Sequence, residues 1–288
     1  MFSNLANLFR YRGLIQSLVA RELKARYRGL IQTLVARELK ARYRGSVLGF
    51  FWSFINPLLL LLIYTYVFAY IMPTRFAEGE QPKPFADPFP YALFLFCGIL
   101  PWTWFSSSLN EAAGVLISGG NLIKKVLFPA EVLPIVTTLA NMVHFFLGLP
   151  ILAAFLIYYR APVTVGELAW FPVIVLVQLL FTLALALLVA ALTVHFRDIR
   201  DILANVLTLW FFATPIIYPW KRAPDFGKWF VNANPFSHLA ISYQEVLFFE
   251  GPFGHWRWLL VIGVMSVVFF LFAYFVFDRL RDTFAEEV

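Results

Sequence analysis

From Ser46 to Thr74 the chain carries no charged residue, a run longer than the roughly 20 apolar residues that cross a bilayer. A backbone in hydrocarbon must satisfy its own polar groups, so a run of this kind folds as a helix. Five more largely apolar runs join it, of which 91–117 carries Glu111 and 202–219 is the shortest, and together they predict spans at about 46–72, 91–117, 132–158, 169–194, 202–219 and 258–277. Composition agrees, with 61% of the 288 residues hydrophobic and 14% charged; a soluble domain has roughly half and about a quarter. The sequence therefore reads as an all-α integral membrane protein. Residues 46–288 form a domain of six transmembrane helices, and residues 1–45 form a cytoplasmic or interfacial amphipathic region.

That N-terminal region contains a duplication. Residues 10–25, RYRGLIQSLVARELKA, recur as residues 26–41, with Thr33 in place of Ser17 as the single change. Each copy sets Leu14, Ile15, Leu18 and Val19, or Leu30, Ile31, Leu34 and Val35, at helical spacing among Arg, Lys and Glu. This is the pattern of a helix lying in the membrane interface against anionic headgroups. At about 100° per residue, sixteen positions turn the apolar stripe by roughly 160°. One straight helix would point its two stripes in nearly opposite directions, so a break is expected near Gly29, or one copy packs against protein rather than lipid. The basic, amphipathic start has no short apolar core with a small-residue cleavage site, so no cleavable signal is expected.

Three connections stand out. Residues 75–90 are polar and rich in proline and read as an outside loop. Between Gly119 and Pro129 lies a short basic island, in which Asn121 suits an N-cap and Pro129 ends any helix. It fits a helix at the membrane surface, a helix pressed into a partner, or a plain basic loop. The third, from Lys221 to Arg257, has a central uncharged part, Trp229 to Gln244, too short to cross easily. It reads as a pair of half-helices dipping into the outer leaflet or as an extracellular loop. With the N-terminus inside, sixteen Lys and Arg fall on that side and seven on the other. The excess predicts both termini and the Asn121–Phe128 island in the cytoplasm. The net charge of +6 is thus topology and lipid-headgroup contact rather than nucleic-acid binding.

The chemistry is sparse. There is no phosphate-binding G-x-x-x-x-G-K-[ST] loop, no H-E-x-x-H and no clustered metal ligands. The single Cys97 allows no internal disulfide. His144 lies deep in an apolar span with no intramembrane acid evident as its partner, which favours a helix contact over a proton relay. Glu111, near the inner end of its span, suits an interfacial or capping role. Aromatic residues make up 19%. Many belong to interface belts, but Tyr64, Tyr66, Phe68 and Tyr70, with Trp210, Phe211, Phe212 and Tyr218, also suit a path on which sugar C–H faces slide.

Five stretches taken in order carry a resemblance: Lys40–Phe68, Asn121–Pro134 (NLIKKVLFPAEVLP), His195–Ile202 (HFRDIRDI), Thr214–Pro219 (TPIIYP) and Asn234–Leu239 (NPFSHL). Together they resemble the membrane (permease) subunit of ABC type-2 exporters of bacterial polysaccharides, the group that moves O-antigen, capsule and teichoic acid chains. The resemblance implies a homodimer in the bacterial inner membrane with two copies of a separate ATP-binding subunit. ATP and Mg²⁺ would bind that partner, and this chain would bind no cofactor. It implies a coupling helix carrying Asn121, Leu122, Ile123, Lys124, Lys125 and Phe128, a channel lined by the first and fifth spans, and short gate helices at about 225–250, with Pro235 and Phe236 as gate candidates. The cargo would be a polysaccharide on a polyprenyl-diphosphate lipid, O-antigen first. Positive charge alone, apart from the resemblance, suits Arg42 and Arg44 to the diphosphate or to lipid headgroups. Two other classes stay open: a membrane enzyme that modifies lipid-linked sugars, and an exporter of this architecture that carries drugs or small lipids.

Overall fold

The computed structural model describes residues 29–71, 90–120, 124, 129–159, 164–222, 225–249 and 251–287. The first repeat copy, the loop at 75–89 and the Asn121–Phe128 island apart from Lys124 lie outside the described residues. Every regular element among the described residues is helical.

Helix α1, described over residues 29–42, is built largely from the second repeat copy. Ile31, Leu34, Val35 and Leu39 are half-buried, while Gln32, Thr33, Arg37 and Lys40 are exposed. The apolar stripe faces α4, where Ile31, Val35 and Leu39 share a groove with Leu139, Met142 and Phe146. A tight turn follows, in which Gly45 (φ 83°) and Gly49 (φ 50°) occupy the left-handed region that side chains with a Cβ avoid. The chain then enters α2 (Trp52–Tyr66), which a 3₁₀ turn at Gly49–Phe51 precedes and a π turn at Val67–Ile71 extends.

Helices α3 (Pro90–Ser118), α4 (Val132–Tyr158), α5 (Phe171–His195) and α9 (Trp256–Leu280) are long and apolar enough to cross a membrane. Their bounds lie close to four of the expected spans. In α3, 83% of the most apolar stretch is buried against 22% in α9, so α3 is the central post and α9 a peripheral one. Helices α4 and α5, with a short helix at Pro235–Leu247, pack around α3, and α9 packs on α5.

Helix α6 (Ile199–Ala213) stops short of the expected 202–219. Thr214 is extended (φ −97°, ψ 138°), as the residue before a proline prefers, and Pro215 follows. The segment expected as gate helices holds two short helices, α7 (Asp225–Ala233) and α8 (Pro235–Leu247). Asn234 between them is again an extended residue before a proline, and its side chain caps α8 by accepting from Phe236 N at 3.0 Å.

Candidate functional site

Polar groups buried among apolar helices need partners, and two junctions tie such groups together across different helices. The first lies where α1 ends. Arg42 donates through Nη2 to both carboxylate oxygens of Glu111 on α3 at 2.7 Å, and through Nη1 to Oδ1 of Asn141 on α4 at 3.1 Å. Asn141 Nδ2 closes the ring by donating to Glu111 Oε2 at 2.8 Å. One residue on, the Tyr43 hydroxyl meets His144 Nε2 and Ser53 Oγ, each at 2.6 Å. His144 Nδ1 faces the carbonyl of Ala140 at 2.9 Å, which can only accept. A neutral ring therefore carries its proton on Nδ1, and Tyr43 donates to Nε2.

This junction gives Glu111 and His144 partners that the sequence did not name, and His144 makes a contact between segments as expected. Their partners, Arg42 and Tyr43, lie 69 and 101 residues away, on the amphipathic segment rather than in another span. Arg42, expected at lipid headgroups, has its guanidinium engaged by Glu111. Arg44 is exposed.

The second junction pins α7 and α8. Asn234 Oδ1 accepts from Trp210 Nε1 at 2.7 Å, and Asn234 Nδ2 donates to Thr214 Oγ1 at 2.9 Å. One side chain thereby holds the break between the two short helices against the end of α6. Nearby, His238 Nε2 donates to the carbonyl of Asn232 at 2.9 Å, so its Nδ1 accepts from His255 Nε2 at 2.9 Å. Glu245 Oε2 accepts from the backbone N–H groups of Gly254 and His255 at 3.1 and 3.0 Å. Burial lowers the pKa of His238 and, with the neighbouring His238, takes that of His255 down to about 4. Burial raises that of Glu245, against the two backbone donors.

The aromatic candidates separate into two groups. Trp210 and Phe211 are half-buried in a cluster with Trp102 and Phe105. Phe236 is fully buried there, 4.6 Å from the Phe105 ring and edge-on to Trp102 at 5.0 Å. Tyr64 stacks on Phe68, which leans on Tyr91, and Tyr218 packs against Val231 and Ile241. By contrast, Tyr66, Tyr70 and Phe212 are 58–67% exposed. They share outward faces with Leu62 and Ile63 of α2 and with Ile202 and Leu209 of α6. The structure thus does not bring all eight aromatics to one surface. Pro235 occupies the first turn of α8, where its missing N–H costs nothing.

Of the basic island, Lys124 is described and is exposed. Asn121, Leu122, Ile123, Lys125 and Phe128 fall outside the described residues. The helices that flank the island are α3 and α4, the two that Arg42 ties together.

Tyr43, Ser53, Asn141 and Asn234 were not singled out from the sequence. Of these, Asn234 alone left a local trace, as a capping residue just before a proline.

Known proteins place this arrangement. Residues 29–248 match the family described as ABC-2 type transporter. The first repeat copy, residues 10–25, precedes the matched residues. The chain is 40% identical over 283 residues to the O-antigen export system permease protein RfbA of Myxococcus xanthus, covering 98% of this chain and 97% of that one. It is 29% identical over 241 residues to a protein of the same description from Klebsiella pneumoniae, covering 84% and 88%.

Proposed function

Because this chain belongs to the ABC-2 type transporter family, we propose that it is the membrane subunit of an ATP-driven exporter that carries O-antigen polysaccharide out of the cytoplasm. It is a transport permease subunit rather than an enzyme, and the family works with a separate ATP-binding subunit. The observation that carries the cargo is near-full-length similarity to a relative described as an O-antigen export permease.

In this reading the chain crosses the inner membrane six times. The four long apolar helices are joined by α2, lengthened by its 3₁₀ and π turns, and by α6. Both termini face the cytoplasm, in line with the excess of Lys and Arg on that side. Two copies assemble with two ATP-binding subunits, which hold ATP and Mg²⁺. The exposed apolar faces of α2 and α6, with Tyr66, Tyr70 and Phe212, support a second copy there, enclosing an aromatic path for the glycan. The segment Asn121–Phe128 meets the ATP-binding subunit and passes its motion to α3 and α4. The pair α7–α8, with Pro235 and Phe236 at its break, closes the outer end. The lipid-diphosphate end of the cargo starts at the cytoplasmic leaflet, where Arg44, exposed just after α1, is suited to it.

Co-purification with the ATP-binding subunit, followed by ATPase and glycan-export assays on Lys124→Ala and Phe128→Ala, tests this reading. A two-plus-two complex in which these changes leave ATP hydrolysis running without export is the expected result. A chain that purifies alone and chemically alters lipid-linked sugar would overturn it.

A further inference from the structure

Beside the Arg42 junction, α1 to α4 enclose a cavity of about 290 Å³. Its polar lining is of two kinds. Arg42, Asn141 and His144 are committed to Glu111, to each other and to Tyr43 through the bonds given above. Ser107 on α3 is half-buried and Asn56 on α2 is exposed at the cavity mouth, and neither has a hydrogen-bond partner among the described residues. An amide and a hydroxyl each offer both a donor and an acceptor. Most of the remaining wall is apolar, with Leu60 and Leu100 in it.

Size, charge and polarity narrow the occupant. Ligand pockets begin at about 300 Å³, so this one admits a single substituted ring and no oligosaccharide. An anion finds no free cation in it, because the Arg42 charge is matched by Glu111 through two 2.7 Å bonds. Displacing that bidentate pair would strand a half-buried carboxylate. A neutral ring with hydroxyls at its edge and C–H groups on its face meets both the uncommitted Asn56 and Ser107 and the apolar wall.

We propose that this cavity binds one neutral hexose, with its hydroxyls on Asn56 and Ser107 and its C–H face on Leu60 and Leu100. The choice of a sugar over another neutral polyol rests on the export reading. The hexose belongs either to the transported glycan or to the headgroup of a membrane glycolipid.

The test uses the full chain in nanodiscs of phosphatidylethanolamine and phosphatidylglycerol. Saturation-transfer NMR is recorded with methyl glucoside, methyl mannoside and methyl galactoside, and with glycerol 1-phosphate as the anionic probe. At least one hexoside is expected to give saturable transfer. N56L and S107A should each weaken it about three- to tenfold, the effect of one or two lost hydrogen bonds. S107T should retain it, and V264A, on the exposed face of α9, should leave it unchanged. Absence of saturable transfer from all three hexosides overturns the proposal. So does transfer indifferent to both N56L and S107A, or a preference for glycerol 1-phosphate. Adding the ATP-binding subunit and measuring export separates the sources: a bound hexoside that inhibits export marks the cargo's sugar, and binding without inhibition marks a glycolipid headgroup. Either result upholds the site. Because the binding measurement needs no transport, the hexose site and the export reading can fail independently.

Discussion

Arg42 and Glu111 stand 69 residues apart in sequence, yet the guanidinium Nη2 lies 2.7 Å from both carboxylate oxygens. Asn141 touches both partners. Three segments meet there: the end of the amphipathic α1 and the two helices that flank the basic island. The side chains are 27% and 34% exposed, so the pair is neither a free surface bridge nor fully desolvated. Truncating one partner of a buried pair costs about 3–5 kcal/mol, and exposed pairs contribute about 0–1. An intermediate cost of about 1–3 kcal/mol is expected for E111A or R42A, since each leaves the other charge facing apolar helices. The R42M/E111M double variant should recover much of it, because apolar side chains of similar volume pack without a stranded charge. Thermal unfolding of the four proteins in one detergent checks this, and a double variant no better than the worse single would refute it.

A second expectation concerns acid. The ordinary histidine value is 6.5, and burial beside His238 holds His255 down to about 4. Between those values the unfolded chain binds the proton and the folded one does not, so stability falls as pH falls through that window. The difference corresponds to at most about 3 kcal/mol. Lowered His238 acts in the same direction. Glu245, raised by burial, acts oppositely: its folded form holds a proton more readily, so its contribution is present at low pH and lost as pH rises. Other groups near this cluster are Lys221, which favours the Glu245 carboxylate, and Trp258, stacked on His238 at 4.5 Å. Melting temperature should therefore drop between pH 6.5 and 4 in the parent chain, drop less in H255Q, and drop more steeply in E245Q. Parallel curves for all three proteins would be inconsistent with this assignment.

How much of this was legible beforehand depended on distance along the chain. The span at 132–158 is α4 to the residue, because a run of apolar residues fixes a membrane helix without reference to anything else. The Pro-marked break at 234–235 was likewise local, readable from Asn before Pro. The fifth span was over-read, since uncharged residues continue past Ala213 while Thr214-Pro215 turns the backbone aside. Hydropathy alone does not see that turn. The partners of Glu111 and His144 were invisible for another reason. They are supplied by Arg42 and Tyr43, which directly follow the repeat in a stretch whose basic residues read equally well as headgroup contacts. Only folding decides between those roles, and at the end of α1 it sets Arg42 against Glu111. The aromatics failed to sort for the same reason, since Phe211 and Phe212 are neighbours in sequence but opposite in burial.

Close packing between α3 and α4 gives a third prediction. A Cβ built on Gly148 would lie 2.6 Å from Leu100 Cδ2, closer than two carbon atoms can sit without one moving. The atom met is the tip of a side chain, so G148A should be absorbed by a rotation of Leu100. G148V adds branches that cannot all be relieved and is expected to cost about 1–3 kcal/mol. Shortening the neighbour should rescue it: G148V/L100A should melt higher than the sum of the single effects predicts. Strict additivity in that cycle would show that the two residues do not share the space.

The break between α7 and α8 supplies the last. Asn234 makes three side-chain bonds, accepting from Trp210 Nε1 and Phe236 N and donating to Thr214 Oγ1. Thr214 Oγ1 already donates to the carbonyl of Trp210 at 2.7 Å, so it has no proton to return to a substituted side chain. N234D therefore keeps the two acceptor bonds and loses the third, whereas N234A loses all three and leaves the Trp210 indole N–H unpaired in a half-buried position. Each lost bond costs about 0.5–1.5 kcal/mol, and the orphaned donor adds its own desolvation. The expected order of thermal stability is parent, then N234D, then N234A, with the last about 2–4 kcal/mol below the first. If α7 and α8 close the outer end, proteoliposomes with N234A should also admit a small neutral solute faster than those with the parent chain. N234D should be intermediate, because Phe236 stays capped and the indole stays held. Equal leak from N234A and the parent, with stability lowered in the expected order, would leave Asn234 as a structural pin and remove the gate role from this pair of helices.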